Sequence, residues 1–142
     1  MRCIVRLAGM AAIILSGPVH AQTKTSRCAE PEASSALVSY VREMVTATDS
    51  LSIARRKEDG LPDGAPERVA LSLDPAVCLA AANAYNREAR DTGARANARR
   101  VTVIRAGDRY VVDDPHTPAH AGEFTIWYIF DTRWRKITAY FS

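Results

Sequence analysis

The chain has 142 residues, with 19 Lys and Arg against 16 Asp and Glu and a formal net charge of +3. That length suits one domain around one core. Two of the cations, Arg2 and Arg6, sit at the start, so positions 22–142 carry 17 cations and 16 acids. This balance of +1 excludes the strongly basic footprint of a nucleic-acid binder and the polybasic face of an electrostatic membrane binder.

Arg2 and Arg6 precede or flank the start of an uncharged apolar run, residues 7–15. The run is too short for a spanning helix, which needs roughly 20 apolar residues. Ser16, Gly17 and Pro18 then break any helix, and Val19-His20-Ala21 fits the small-residue cleavage pattern. Residues 1–21 therefore read as a secretory signal cut after Ala21. This implies an exported protein, periplasmic or secreted, with no stable membrane span after cleavage. Cys3 leaves with the signal. Cys28 and Cys78 remain as an even pair in an oxidising compartment and are expected to be bonded. Closing a loop of about fifty residues would stabilise the fold by roughly 4 kcal/mol.

Residues 22–33 form a polar leader, and 34–142 read as a single domain. Ser34 or Ser35 can cap a helix reaching about Thr48, with Leu37, Val38, Tyr40, Val41, Met44 and Val45 on one stripe. Leu51 and Ile53 could begin a strand or continue that helix. The charged run 55–59, followed by Gly60, Pro62, Gly64 and Pro66, reads as a solvated loop. Val69, Leu71 and Leu73 alternate as in a short strand. Asp74-Pro75 opens a second helix, with an Asp N-cap and proline at the first helical position. It runs to about Ala89 and ends near Gly93, with Val77, Cys78, Ala81, Ala82, Tyr85 and Ala89 inward. Strands follow at 101–104 and 110–112, joined at Gly107-Asp108 by a type II′ turn. The strongest strand is 123–130, and residues 134–141 form the last. The class is α+β: two helices packed on one face of a roughly four-stranded antiparallel meander sheet.

Residues 113–123 hold the one concentrated polar cluster. Asp114, His116, His120 and Glu123 could ligate a zinc-like ion. Against this, Pro115 and Pro118 forbid the helix on which His residues four apart share a face. No other cofactor is implied. In the strand at 123–130, Phe124, Ile126, Tyr128 and Phe130 share one face, and Thr125, Trp127 and Ile129 share the other. Both faces are apolar. Two-sided burial explains this, and so does a binding surface of Trp127, Tyr128 and Trp134. There is no G-x-S-x-G and no glycine-rich phosphate loop.

The segment Tyr110-Val111-Val112, then 124–130 followed by Asp131-Thr132-Arg133-Trp134-Arg135-Lys136-Ile137, resembles PepSY domains. These are small exported bacterial modules with a helix packed on a β-hairpin, sometimes linked to protease inhibition. Asp131 matches the family's strand-ending Asp, while Arg133-Trp134 stand where that family has glycine. The likeness covers about a third of the chain after residue 21 and implies a fold, not an activity. The reading these features favour is a non-catalytic binding module for an unidentified protein or small ligand. The alternatives are a metal-dependent or hydrolytic protein using residues 113–123, and a cystatin- or NTF2-like pocket protein binding an apolar small ligand.

Overall fold

The computed structural model describes residues 26–91, 97–116 and 126–141. The expected signal and the start of the leader lie outside them. The elements run α1 (Pro31–Thr46), α2 (Ser50–Glu58), a short 3-10 turn (Pro66–Arg68), β1 (Val69–Leu71), α3 (Pro75–Asp91), β2 (Thr102–Ala106), β3 (Arg109–Asp113), β4 (Ile126–Phe130) and β5 (Lys136–Phe141). The five strands form one antiparallel meander in chain order. The α+β class is as expected, with one more helix than expected and with the expected short strand at 69–71 joining the sheet as its fifth strand.

The helices do not share a face. Val41, Met44 and Val45 of α1 pack with Ile104, Val111, Trp127 and Ile129. Cys78, Ala81 and Ala82 of α3 pack with Val103, Val112, Tyr128 and Phe130. Successive strand residues point to opposite faces, so β2, β3 and β4 each supply both cores. Their two-sided apolar character is what calls for a helical layer on each side. The alanines of α3 let that helix lie close to the sheet.

Cys28 pairs in a parallel bridge with Val101. Its sulfur stands 2.16 Å from that of Cys78, with the Cα atoms 5.1 Å apart. The leader is thereby tied to α3.

Local chemistry accounts for the helix limits. Pro31 occupies the first turn of α1, so Ser34 is one turn inside rather than a cap. Its hydroxyl donates to the Glu30 carbonyl and pairs with Thr102 Oγ1 at 2.8 Å, buried. Residues 50–58 are a helix rather than a loop because Asp49 caps it, accepting from the Ser52 N–H at 2.8 Å. It ends in a Schellman motif, with Leu61 N–H to Arg56 O and Gly60 N–H to Lys57 O. Gly60 has φ +64, and a Cβ there would lie 2.5 Å from Arg109 Nη2. The β2–β3 turn has Gly107 at φ +62 and no positive φ at Asp108, the type II′ pattern.

The two edge strands each meet an arginine from the same helical layer. Arg42 donates to the Val69 carbonyl of β1 at 3.4 Å. Arg55 donates to Thr138 Oγ1 at 3.1 Å and approaches the Ala139 carbonyl of β5 at 3.5 Å.

Candidate functional site

The β4–β5 hairpin turns at residues 131–134. Trp134 N–H donates to the Asp131 carbonyl, and Asp131 N–H to that of Arg135. The Asp131 carboxylate accepts from the backbone N–H groups of Arg133 and Arg135, both at 2.9 Å, and from Arg135 Nε at 2.7 Å. These bonds, that from the Arg135 N–H foremost, hold its pKa below the ordinary carboxylate value. The turn leaves Trp134 at φ +59, the one described non-glycine residue in the left-handed region. Such a conformation costs an L-residue about 1–2 kcal/mol. Glycine avoids that penalty, and glycine is what the resemblance to PepSY domains implies at 133–134.

The strain sets the indole on the sheet. Trp134 stacks on Tyr110 with ring centroids 4.6 Å apart and planes 17° from parallel, and it tilts against Phe130 at 6.0 Å. Its carbonyl accepts from Arg87 Nη2 at 2.8 Å. Beneath it runs one cross-strand row, paired as Arg105 with Tyr110, Tyr110 with Phe130, and Phe130 with Lys136. The Arg105 guanidinium lies over the Tyr110 ring, 5.7 Å from its centroid, at a distance where cation–π attraction acts. Tyr110 and Trp134 are half-buried, whereas Arg87, Arg105, Arg133, Arg135 and Lys136 are exposed. A cation stands at each end of a half-open aromatic pair.

A second cluster lies on the opposite face. Asp59, the C-cap of α2, is fully buried. Its Oδ2 accepts from the Tyr140 hydroxyl and lies 3.4 Å from Arg55 Nε, while Oδ1 is buried without a hydrogen-bond partner. Burial pushes the Asp59 pKa up to about 6 against the opposing pull of Arg55. Arg55 also lies over the Tyr140 ring at 4.5 Å. Tyr140 stacks on Trp127 at 4.1 Å, and Trp127 meets the edge of Tyr40 at 5.3 Å. Closed on all these sides by protein groups, Asp59 has no access to a substrate and serves to hold α2 on β5.

The sequence-nominated residues are scattered. Trp127 and Tyr128 are 5% and 1% exposed and belong to the two different cores. They cannot share one surface with Trp134, because adjacent residues of a strand face opposite ways. Of the three, only Trp134 reaches solvent. Of the nominated metal ligands, His120 and Glu123 lie outside the described residues. Asp114 Oδ1 accepts from the His116 N–H at 3.0 Å, a local Asx turn. Among the described residues there is no group of three His, Cys, Asp or Glu side chains placed to hold a metal ion.

Asp113, beside them, has a buried Oδ1 without a hydrogen-bond partner. Its pKa is raised to about 6, by burial first and then by Asp114. Burial and Asp113 together push the Tyr85 phenol up, and its hydroxyl donates to the Ile126 carbonyl at 3.2 Å. A surface depression of about 510 Å³ is bounded by Ile53, Arg56, Lys57, Gly60, Leu61 and Asp63. Trp127, Tyr128 and Trp134 do not line it. Sequence reasoning missed Tyr110 and Arg105 as partners of Trp134, because their juxtaposition depends on strand register.

No family model, no curated protein and no solved structure matches the chain. The likeness to PepSY domains is therefore carried by the residue pattern around the hairpin alone. Among the described residues, no helix is long and apolar enough to cross a membrane.

Proposed function

We propose that the chain is an exported, non-catalytic module that binds a partner through the Arg105–Tyr110–Trp134 surface at the β4–β5 hairpin. The observation that carries this reading is the backbone of Trp134, a bulky residue held at φ +59. Strain of this kind costs about 1–3 kcal/mol and clusters where a protein presents a functional side chain. Here it keeps an indole half-exposed beside exposed guanidinium groups. Export is supported by the pattern of residues 1–21 and by two cysteines at disulfide distance, a pairing that persists in oxidising compartments. Asp59, a carboxylate with a raised pKa, is sealed inside the protein and so supports packing rather than chemistry.

The test is a pull-down from the cell envelope with the oxidised protein and its Trp134→Gly variant. Glycine suits the left-handed backbone, so the variant folds while the platform is gone. A species captured by the native protein and lost with the variant supports the reading. Equal capture by both defeats it.

A further inference from the structure

We infer that the partner of this surface presents carboxylates: the hairpin platform is a dock for an acidic peptide segment. The inference rests on the binding role proposed above and adds the chemistry of the occupant.

It is carried first by charge. Around the stacked pair stand five cations, Arg87, Arg105, Arg133, Arg135 and Lys136, against two carboxylates, Glu88 and Asp131, an excess of 5 − 2 = +3. The carboxylates are already committed. Glu88 lies 3.4 Å from Arg87 and 3.2 Å from Lys136, and Asp131 lies 2.7 Å from Arg135. Arg105 uses its Nε on the Gly107 carbonyl at 3.1 Å, and its guanidinium has no ion-pair partner among the described residues. Arg133 is exposed, and among the described residues its one hydrogen bond is from the backbone N–H. Two guanidinium forks are thus left facing solvent, in a chain whose cations and acids otherwise nearly balance beyond residue 21. A guanidinium fork matches a carboxylate in bidentate geometry.

The stacking then discriminates between anionic occupants. Tyr110 is stacked on Trp134 and approached by the Arg105 guanidinium. Trp134 is tilted against Phe130 besides its stack. Both rings are thus already engaged by other side chains, which leaves recognition to the guanidinium forks rather than to stacking against a sugar ring. The rings are only half-exposed, and the neighbouring exposed side chains are cationic rather than aliphatic, which does not suit insertion into a lipid surface. A peptide needs only carboxylates for the forks and apolar groups for the ring edges.

The experiment is fluorescence anisotropy of a labelled glutamate-rich peptide with the oxidised protein. Three proteins are compared: the native chain, the Arg105→Gln/Arg133→Gln double variant, and a control, Lys57→Gln/Arg68→Gln, with the same net charge change on exposed cations elsewhere. The expected result is saturable binding, weakened about tenfold or more in the first variant and by less than about twofold in the control. Equal loss in both variants would show a response to net charge alone and overturn the inference. Tighter binding to a sulfated glycan or to anionic phospholipid vesicles than to the peptide would overturn the choice of occupant. If no probe binds, the acidic-partner inference fails, while the Trp134→Gly pull-down still decides the binding role separately.

Discussion

On the α1/α2 face, Arg55 lies over Tyr140, Tyr140 stacks on Trp127, and Trp127 meets Tyr40. On the α3 face, Arg105 lies over Tyr110, and Tyr110 stacks on Trp134. The components are alike, a guanidinium, a phenol and an indole, yet their surroundings differ. The first stack has a carboxylate, Asp59, buried against its arginine and phenol, and a helix closing over it. The second has no carboxylate on its arginine and is roofed by one strained residue of a turn. An aromatic–cation stack that supplies its own counter-charge becomes a structural lock. One that leaves the counter-charge to be found elsewhere is the stack for which binding is proposed.

The contrast can be broken most forcefully at the two tryptophans. Trp127→Ala should cost about 3–5 kcal/mol in chemical denaturation, the range for a large core truncation. If it costs no more than a change at Trp134, the buried stack is not a lock. Reduction of the Cys28–Cys78 pair should cost roughly 4 kcal/mol in the chain-entropy model. Because the pair ties the leader to α3, hydrogen exchange should accelerate first in α3 and later in α1. Uniform acceleration would show that the two faces are not separable units.

Asp59→Asn sharpens the comparison through pH. The folded pKa of Asp59 is raised to about 6 from 3.8, so its ionisation opposes folding. That cost is full above about pH 6, shrinks as the pH falls through 6 toward 3.8, and vanishes below 3.8. Asp113 acts in the same direction. Asp131, whose value is lowered, acts in the opposite one: its contribution is present above 3.8 and is lost as the pH falls below that value. Asp59→Asn should therefore stabilise the protein by about 1–2 kcal/mol near neutral pH, with the gap closing on acidification to about pH 4. Melting curves of both proteins across that interval check the sign, and a gap independent of pH would contradict it. The smallest effect belongs to Trp134→Gly. Relief of about 1–2 kcal/mol of backbone strain offsets a lost stack worth about 0.5–1.5 kcal/mol, so stability should stay within about 1 kcal/mol of native. A larger loss would mean that Trp134 is a core residue.

Much of the fold is written in local pattern. Asp74-Pro75 opens α3 as expected, with Asp74 Oδ1 accepting from the Ala76 N–H at 2.8 Å. Gly107 makes its turn, and the unbroken apolar run of 126–130 marks a strand buried on both sides. Helix α2 was hidden because Arg55-Arg56-Lys57 looks like solvated loop. In fact Arg56 is 5% exposed, its guanidinium donating to the carbonyls of Met44 and Ala47 at the end of α1 and to Asp63. A buried arginine that satisfies another helix's last carbonyls leaves no periodic trace in sequence. The proposed binding surface was half legible. Trp134 stood out by occupying a glycine position, but Tyr110 and Arg105 are brought beneath it by pairing across strands more than twenty residues away in the chain.

The arginines at the two sheet margins, Arg42 on β1 and Arg55 on β5, have a colloidal consequence. A peptide ladder that ends in bare carbonyls invites another chain to continue it. Here Arg42 and Arg55 already donate to carbonyls of the two outermost strands, at Val69 and Ala139, so a neighbouring molecule arriving edge-on finds those acceptors engaged. Side chains posted along both margins thereby give the fold some protection against fibrous self-association.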